Sequence, residues 1–254
     1  MSWRRQRICS DSGTVGTMAA LDPVADLERR LTAHASKTWR GMRGAIRAWW
    51  RDHELADHPA TVGMRIALAL IEKKRALDKH AGTFVLVLLG DQLRCADLAG
   101  FAKLFEAGHI SGETAIEREV VDRFADLLAV MLAREVGRLE VARGLAEWRH
   151  ASTIWQRRAA CLAFAAHGPH ADAVMARTIL AVCGTVVWSH EPHDQSAVAT
   201  ALRELSLADP TRVEAFFRRH ARLMSRSCAR TCVAKFSASR RRELLAHHER
   251  ATTI

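Results

Sequence analysis

The sequence predicts an all-α protein, and three features point that way. Proline numbers only 5 in 254 residues and tyrosine is absent, while alanine and leucine are plentiful, a balance that suits helices better than sheets. Apolar residues recur at spacings of three and four, as in Ile116, Val120, Phe124, Leu127 and Met131, which places them on one stripe of a helix. No stretch shows the strict alternation of a half-buried strand.

Residues 1–20 carry Arg4, Arg5 and Arg7 but no apolar run of signal-peptide length, so they read as a frayed tail, with Met18 as a second candidate start. Helices are then expected at about 22–35, 39–52, 58–78, 80–90, 94–107, 115–134, 137–149, 152–166, 170–186, 194–206, 210–219, 221–234 and 237–248, with soft boundaries. Breakers stand between them: Asp57-His58-Pro59, Ala107-Gly108-His109, His167-Gly168-Pro169, Ser189 to Pro192, and Asp209-Pro210.

About a dozen short helices with brief turns suit antiparallel pairs stacked as a solenoid, each pair burying a face that its neighbour completes. HEAT-like pairs of roughly 40 residues fit the length. Such a stack has a concave surface, and arginines clustered on it would make a basic groove. No linker rich in Gly, Pro or Ser divides residues 21–254, which read as one domain.

Lys and Arg outnumber Asp and Glu by 38 to 28, giving a net charge of +10. An anionic partner is therefore favoured. The longest apolar stretches, Thr83 to Gly90 and Ile179 to Trp188, are far short of the roughly 20 residues that span a bilayer. Cysteines 9, 95, 161, 183, 228 and 232 lack paired metal-site spacing and read as buried, reduced thiols of a cytoplasmic protein, nucleoid-associated if bacterial. The histidine pairs 167/170 and 190/193 lie at turns without nearby cysteine partners, so no metal is expected. No Gly-rich phosphate loop or nucleophile elbow is present, and no cofactor is expected.

The run Glu147-Trp148-Arg149-His150-Ala151-Ser152-Thr153-Ile154-Trp155-Gln156-Arg157-Arg158-Ala159-Ala160 holds two tryptophans and three arginines, a combination suited to nucleic acid. It resembles the AlkD-like DNA alkylation repair family. Further similar segments follow in the same order: Gly41-Met42-Arg43-Gly44, Asp78-Lys79-His80-Ala81-Gly82, Phe105-Glu106-Ala107-Gly108-His109-Ile110, Ala197 to Leu205, and Asp209 to Phe216. The resemblance implies a helical-repeat protein acting on duplex DNA as a monomer, with glycosylases for alkylated purines among its relatives.

In the glycosylase branch a carboxylate follows a tryptophan by four residues, a second tryptophan stands beside it, and an arginine grips the DNA backbone. Matched residue by residue, the resemblance puts the carboxylate at Asp122 and the arginine at Arg158, but the tryptophan positions fall on Arg118 and Thr200. Asp122 points away from the apolar stripe of its own helix and would stabilise positive charge on deoxyribose as the N-glycosidic bond breaks. Arg118 is spaced to meet it as an i,i+4 ion pair.

Arg118, Trp155, Arg157, Arg158 and Arg203 are the candidates for DNA contact, with phosphate contact favoured for Arg158 and pairing with Glu204 for Arg203. Trp155 and Trp188 are alternatively core residues or substitute aromatic platforms. The basic stretch from Arg218 to Arg242 is either a DNA footprint or a solvated face. Three functions are consistent with these features: a glycosylase using Asp122, a non-catalytic relative that binds damaged or branched DNA, and a protein-binding HEAT scaffold.

Overall fold

The computed structural model describes residues 22–33, 39–134 and 136–253; the expected tail at 1–20, with Met18 and Cys9, lies outside them. The described residues form thirteen α-helices and no strand: α1 (Pro23–Ala33), α2 (Trp39–Asp52), α3 (Ala60–Ile71), α4 (Ala76–Leu88), α5 (Asp97–Glu106), α6 (Ala115–Ala133), α7 (Arg138–Ala146), α8 (Ile154–Ala165), α9 (Ala173–Val186), α10 (Pro192–Leu205), α11 (Pro210–His220), α12 (Arg226–Cys232) and α13 (Ala238–Thr252). The expected all-helical class holds.

Local chemistry sets the boundaries. Thr114 and Glu117 form a reciprocal capping box at the start of α6, Thr153 accepts from the Gln156 amide at α8, and Asp209, followed by Pro210, accepts from the Arg212 amide at α11. Each satisfies an amide that a helix start leaves without a partner. After α5 the chain turns through Gly108 at φ +73°, and the His109 amide reaches back to the Leu104 carbonyl at 2.9 Å. Glycine takes that left-handed conformation without strain.

Two expected helices are corrected. The helix expected over 58–78 ends at Ile71, and Glu72–Arg75 turn the chain before α4. Arg75 folds onto Asp78 through two 2.8 Å hydrogen bonds, which anchors the new helix start. The helix expected from 221 begins only at Arg226, where the Ser225 hydroxyl caps it, with one 3-10 turn at Ala221–Leu223 before it. The apolar stripe of α6 is also shorter than expected: Val120, Phe124, Leu127 and Met131 are buried, but Ile116 is exposed.

Helices α2, α4, α6, α8, α10 and α12 pack successively against one another as one row. Helices α5, α7, α9, α11 and α13 form a second row in the same way. The shared core is dense with aromatic edges, Phe124 meeting Phe101 and Phe105 at 5.3 Å with near-perpendicular rings, a favoured arrangement. Cys161, Cys183, Cys228 and Cys232 are unbridged and fully enclosed. Burial raises the Cys228 thiol to about 12, so these groups behave as small apolar side chains.

The segment Asp78-Lys79-His80-Ala81-Gly82 serves this packing. A Cβ at Gly82 would lie 2.5 Å from the Ala67 carbonyl oxygen, so glycine is what lets α3 and α4 touch backbone to backbone. Lys79 is buried and reaches Glu117 of the α6 capping box at 3.5 Å, tying α4 to α6.

Candidate nucleic-acid interface

The centre of the first row brings Asp122 on α6, Arg158 on α8 and Thr200 on α10 to one open cavity of about 350 Å³, which Asp126, Leu162, Pro169 and Glu204 also line. These are three of the positions singled out by the sequence, drawn from residues 36 to 78 apart in the chain. Asp122 is about half exposed, with 49% of its side chain accessible, while Arg158 is largely enclosed at 13%.

Arg158 donates to Asp122 in a fork: Nε to Oδ1 at 3.0 Å, Nη2 to Oδ1 at 2.9 Å and Nη2 to Oδ2 at 3.3 Å. This planar pairing matches a guanidinium to a carboxylate edge to edge. The expected Arg118–Asp122 pair is not made. Arg118 instead donates to the Gly112 and Glu113 carbonyls at 3.2 and 3.5 Å, in the turn that leads into α6. Arg158 reaches Asp122 from α8, across the row.

Arg118 and His193 lie near this pair. Burial first, then the nearby Arg158 and Arg118 charges, lower the pKa of His193, so its ring is neutral at physiological pH. The ring also lies 4.7 Å from that of Trp155. Trp155 is half-buried and lies so close over Gly112 that no Cβ would fit there. Its indole is wedged between a turn and a histidine rather than offered freely to solvent.

Arg157 and Arg203, the other candidate arginines, are engaged within the protein. Arg157 donates to Asp194 Oδ2 through Nε at 3.0 Å and Nη2 at 2.5 Å, and to the Ala151 and Ser152 carbonyls. The Asp194 side chain is fully buried, which assigns Arg157 to neutralising an interior charge. Arg203 pairs with Glu204 at 2.7 Å, as its sequence neighbour suggested. At Thr200 the hydroxyl is bonded to the Ser196 carbonyl at 2.9 Å.

A basic residue the sequence did not single out lies farther along the same row. Arg43 on α2 stands 5.0 Å over the ring of Phe84 on α4. It lines a smaller cavity of about 180 Å³ that also includes His80, Arg123 and Asp126. Asp126 is common to this hollow and the Asp122 cavity. The Gly-Met-Arg-Gly wording at 41–44 was the available signal for Arg43.

A model of the DNA alkylation repair enzyme family matches residues 43–236. The chain belongs to that family. The match covers every helix from α3 to α12 and contains Arg118, Asp122, Arg158 and Thr200. No curated protein and no solved structure matches the chain.

Family membership implies a role in DNA repair and interaction with DNA. Among the described residues no helix is long and apolar enough to cross a membrane. No group of three His, Cys, Asp or Glu among them is placed to hold a metal ion.

Proposed function

We propose that this family member binds duplex DNA along a basic concave groove formed by the first row of helices, and that it hydrolyses the N-glycosidic bond of alkylated purines. The observation that carries this reading is the pairing of Asp122 with Arg158 at the mouth of the α6–α8–α10 cavity. Its carboxylate is accessible to a ligand, and the cavity has room for an extruded base.

The chemistry asked of the site is modest. An alkylated purine already carries positive charge, so its departure needs little proton donation. The deoxyribose is left electron-poor as the C1′–N bond breaks, and a nearby carboxylate stabilises it while orienting the water that attacks C1′. Before this can happen Arg158 must release at least part of its hold on Asp122. A DNA phosphate drawn to the guanidinium provides that exchange.

Binding without catalysis is the second reading. It is favoured by Arg118 and Thr200 at the two aromatic positions, because neither offers the flat face on which a cationic base would stack. Release of methylated base from duplex DNA by the wild type and by Asp122→Asn separates the two. Loss of release in the variant supports the glycosylase, and no release by either protein leaves DNA recognition as the function.

A further inference from the structure

Opposite in row to the Asp122 site, between α9 and α11, lies a hollow of about 850 Å³ that shares no residue with it. Its floor is apolar, made by Leu180, Gly184, Phe216 and Leu223, and its wall carries Trp188, Arg212, Arg219 and Arg222. Trp188 is 65% exposed, an unusual position for the largest apolar side chain.

Arg212 is held by Asp209 at 2.8 Å, whereas Arg219 and Arg222 have no hydrogen-bond or ion-pair partner among the described residues. Both also line an adjoining hollow of about 360 Å³ with Arg218, His247 and Arg250. No Asp or Glu lines either hollow. Arg218 and Arg240 are both engaged by Glu214 and Glu243. Within these two hollows the charges that no carboxylate meets among the described residues are those of Arg219, Arg222 and Arg250.

Both arms of the hollow are fixed from below by one side chain. Buried Gln195 donates through Nε2 to the Val187 and Ser189 carbonyls, on either side of Trp188, and to the Leu223 carbonyl at 3.0, 2.8 and 3.0 Å. Its Oε1 accepts from the Ser225 amide at 3.0 Å. The turn presenting the indole and the turn presenting Arg222 are therefore held in one spacing before any ligand arrives.

We infer that this outer hollow is a second nucleic-acid site, one that takes single-stranded DNA with a base stacked on Trp188 and the following phosphates on Arg219, Arg222 and Arg250. A duplex keeps the faces of its bases covered by their neighbours, so the exposed indole selects an unpaired strand. The guanidinium track supplies the sequence-independent part of the affinity. An acidic peptide would satisfy the charges but would leave the indole without a flat partner.

The test is binding of a labelled oligothymidylate by the full chain, compared among wild type, Trp188→Ala, Arg219→Glu/Arg222→Glu and Arg158→Glu. Trp188→Ala should weaken binding about tenfold, as loss of one base-stacking contact does. The double charge reversal should weaken it further and flatten its salt dependence, while Arg158→Glu, on the other row of helices, should weaken it far less. Equal loss in Arg158→Glu, no loss in Trp188→Ala, or displacement by polyglutamate as effective as by unlabelled oligothymidylate would each overturn the assignment. Because base release is read at Asp122, failure of the glycosylase reading leaves this result untouched.

Discussion

Arg158 donates two hydrogen bonds to Asp122 Oδ1, at 2.9 and 3.0 Å, from the neighbouring helix of the first row. The arginine proposed to hold DNA and the carboxylate proposed to act on it therefore neutralise each other in the free protein. With Asp122 half exposed, such a pair contributes only about 0.2 to 1 kcal/mol, which a phosphate can offset.

That competition predicts opposite effects on two measurements. Asp122→Asn should abolish base release while raising affinity for duplex DNA by a fewfold, since Arg158 is freed for phosphate. Arg158→Gln should lower affinity and reduce the slope of log affinity against log salt by about 1. Fluorescence anisotropy across a salt series reads both, and weaker binding by Asp122→Asn would contradict the exchange.

At Arg157 the expected consequence is structural. Arg157→Met strands the fully buried Asp194 carboxylate, at a cost of about 3 to 5 kcal/mol. Thermal unfolding should show a large loss of stability, and pairing the change with Asp194→Leu should recover most of it. A variant of normal stability with weakened DNA binding would instead return Arg157 to the interface.

Gly82→Ala forces a methyl group to within 2.5 Å of the Ala67 carbonyl oxygen. The contact is with backbone and cannot be relieved by a rotamer change, so α3 and α4 must separate, at a cost of about 1 to 3 kcal/mol. Denaturant titration should show a lowered midpoint with little change in slope.

The docking of α1 should depend on acid pH. Asp26 accepts from His53 at 3.0 Å and pairs with Arg30 at 2.9 Å and Arg29 at 3.0 Å. The His53 hydrogen bond first, with the arginine charges, holds its carboxyl below the ordinary value of 3.8, against the opposing effect of burial. A carboxyl depressed in the folded state adds stability above its unfolded pKa, and that stability is lost as pH falls through the folded pKa. Protection of the Pro23–Ala33 amides, taken as exchange relative to the intrinsic rate at each pH, should be steady from neutral pH to about pH 5 and fall below the ordinary carboxylate range. Asp26→Asn should remove the acid-dependent step.

The helices and most of their limits were legible in the sequence because they depend on local chemistry. Caps at Thr153 and Asp209, the turn at Gly108 and the stripe from Val120 to Met131 each involve residues a few positions apart. The same holds for family membership, carried by wording such as Trp155-Gln156-Arg157-Arg158, and for Asp122 as an outward-facing carboxylate on its helix.

The partners of these charges were decided only by the tertiary structure. Arg157 and Arg158 are adjacent in sequence and identical in chemistry, yet one neutralises buried Asp194 on α10 and the other meets half-exposed Asp122 on α6. Arg118 had the right spacing for Asp122 and bonds two carbonyls instead. Trp188, equally readable from sequence as core or platform, is exposed at the hollow between α9 and α11. A guanidinium reaches several ångströms from its backbone, so spacing along one helix says where it starts. What it meets depends on what packs alongside, which for Arg158 and Arg157 is a carboxylate 36 and 37 residues away and for Arg118 the turn before its own helix.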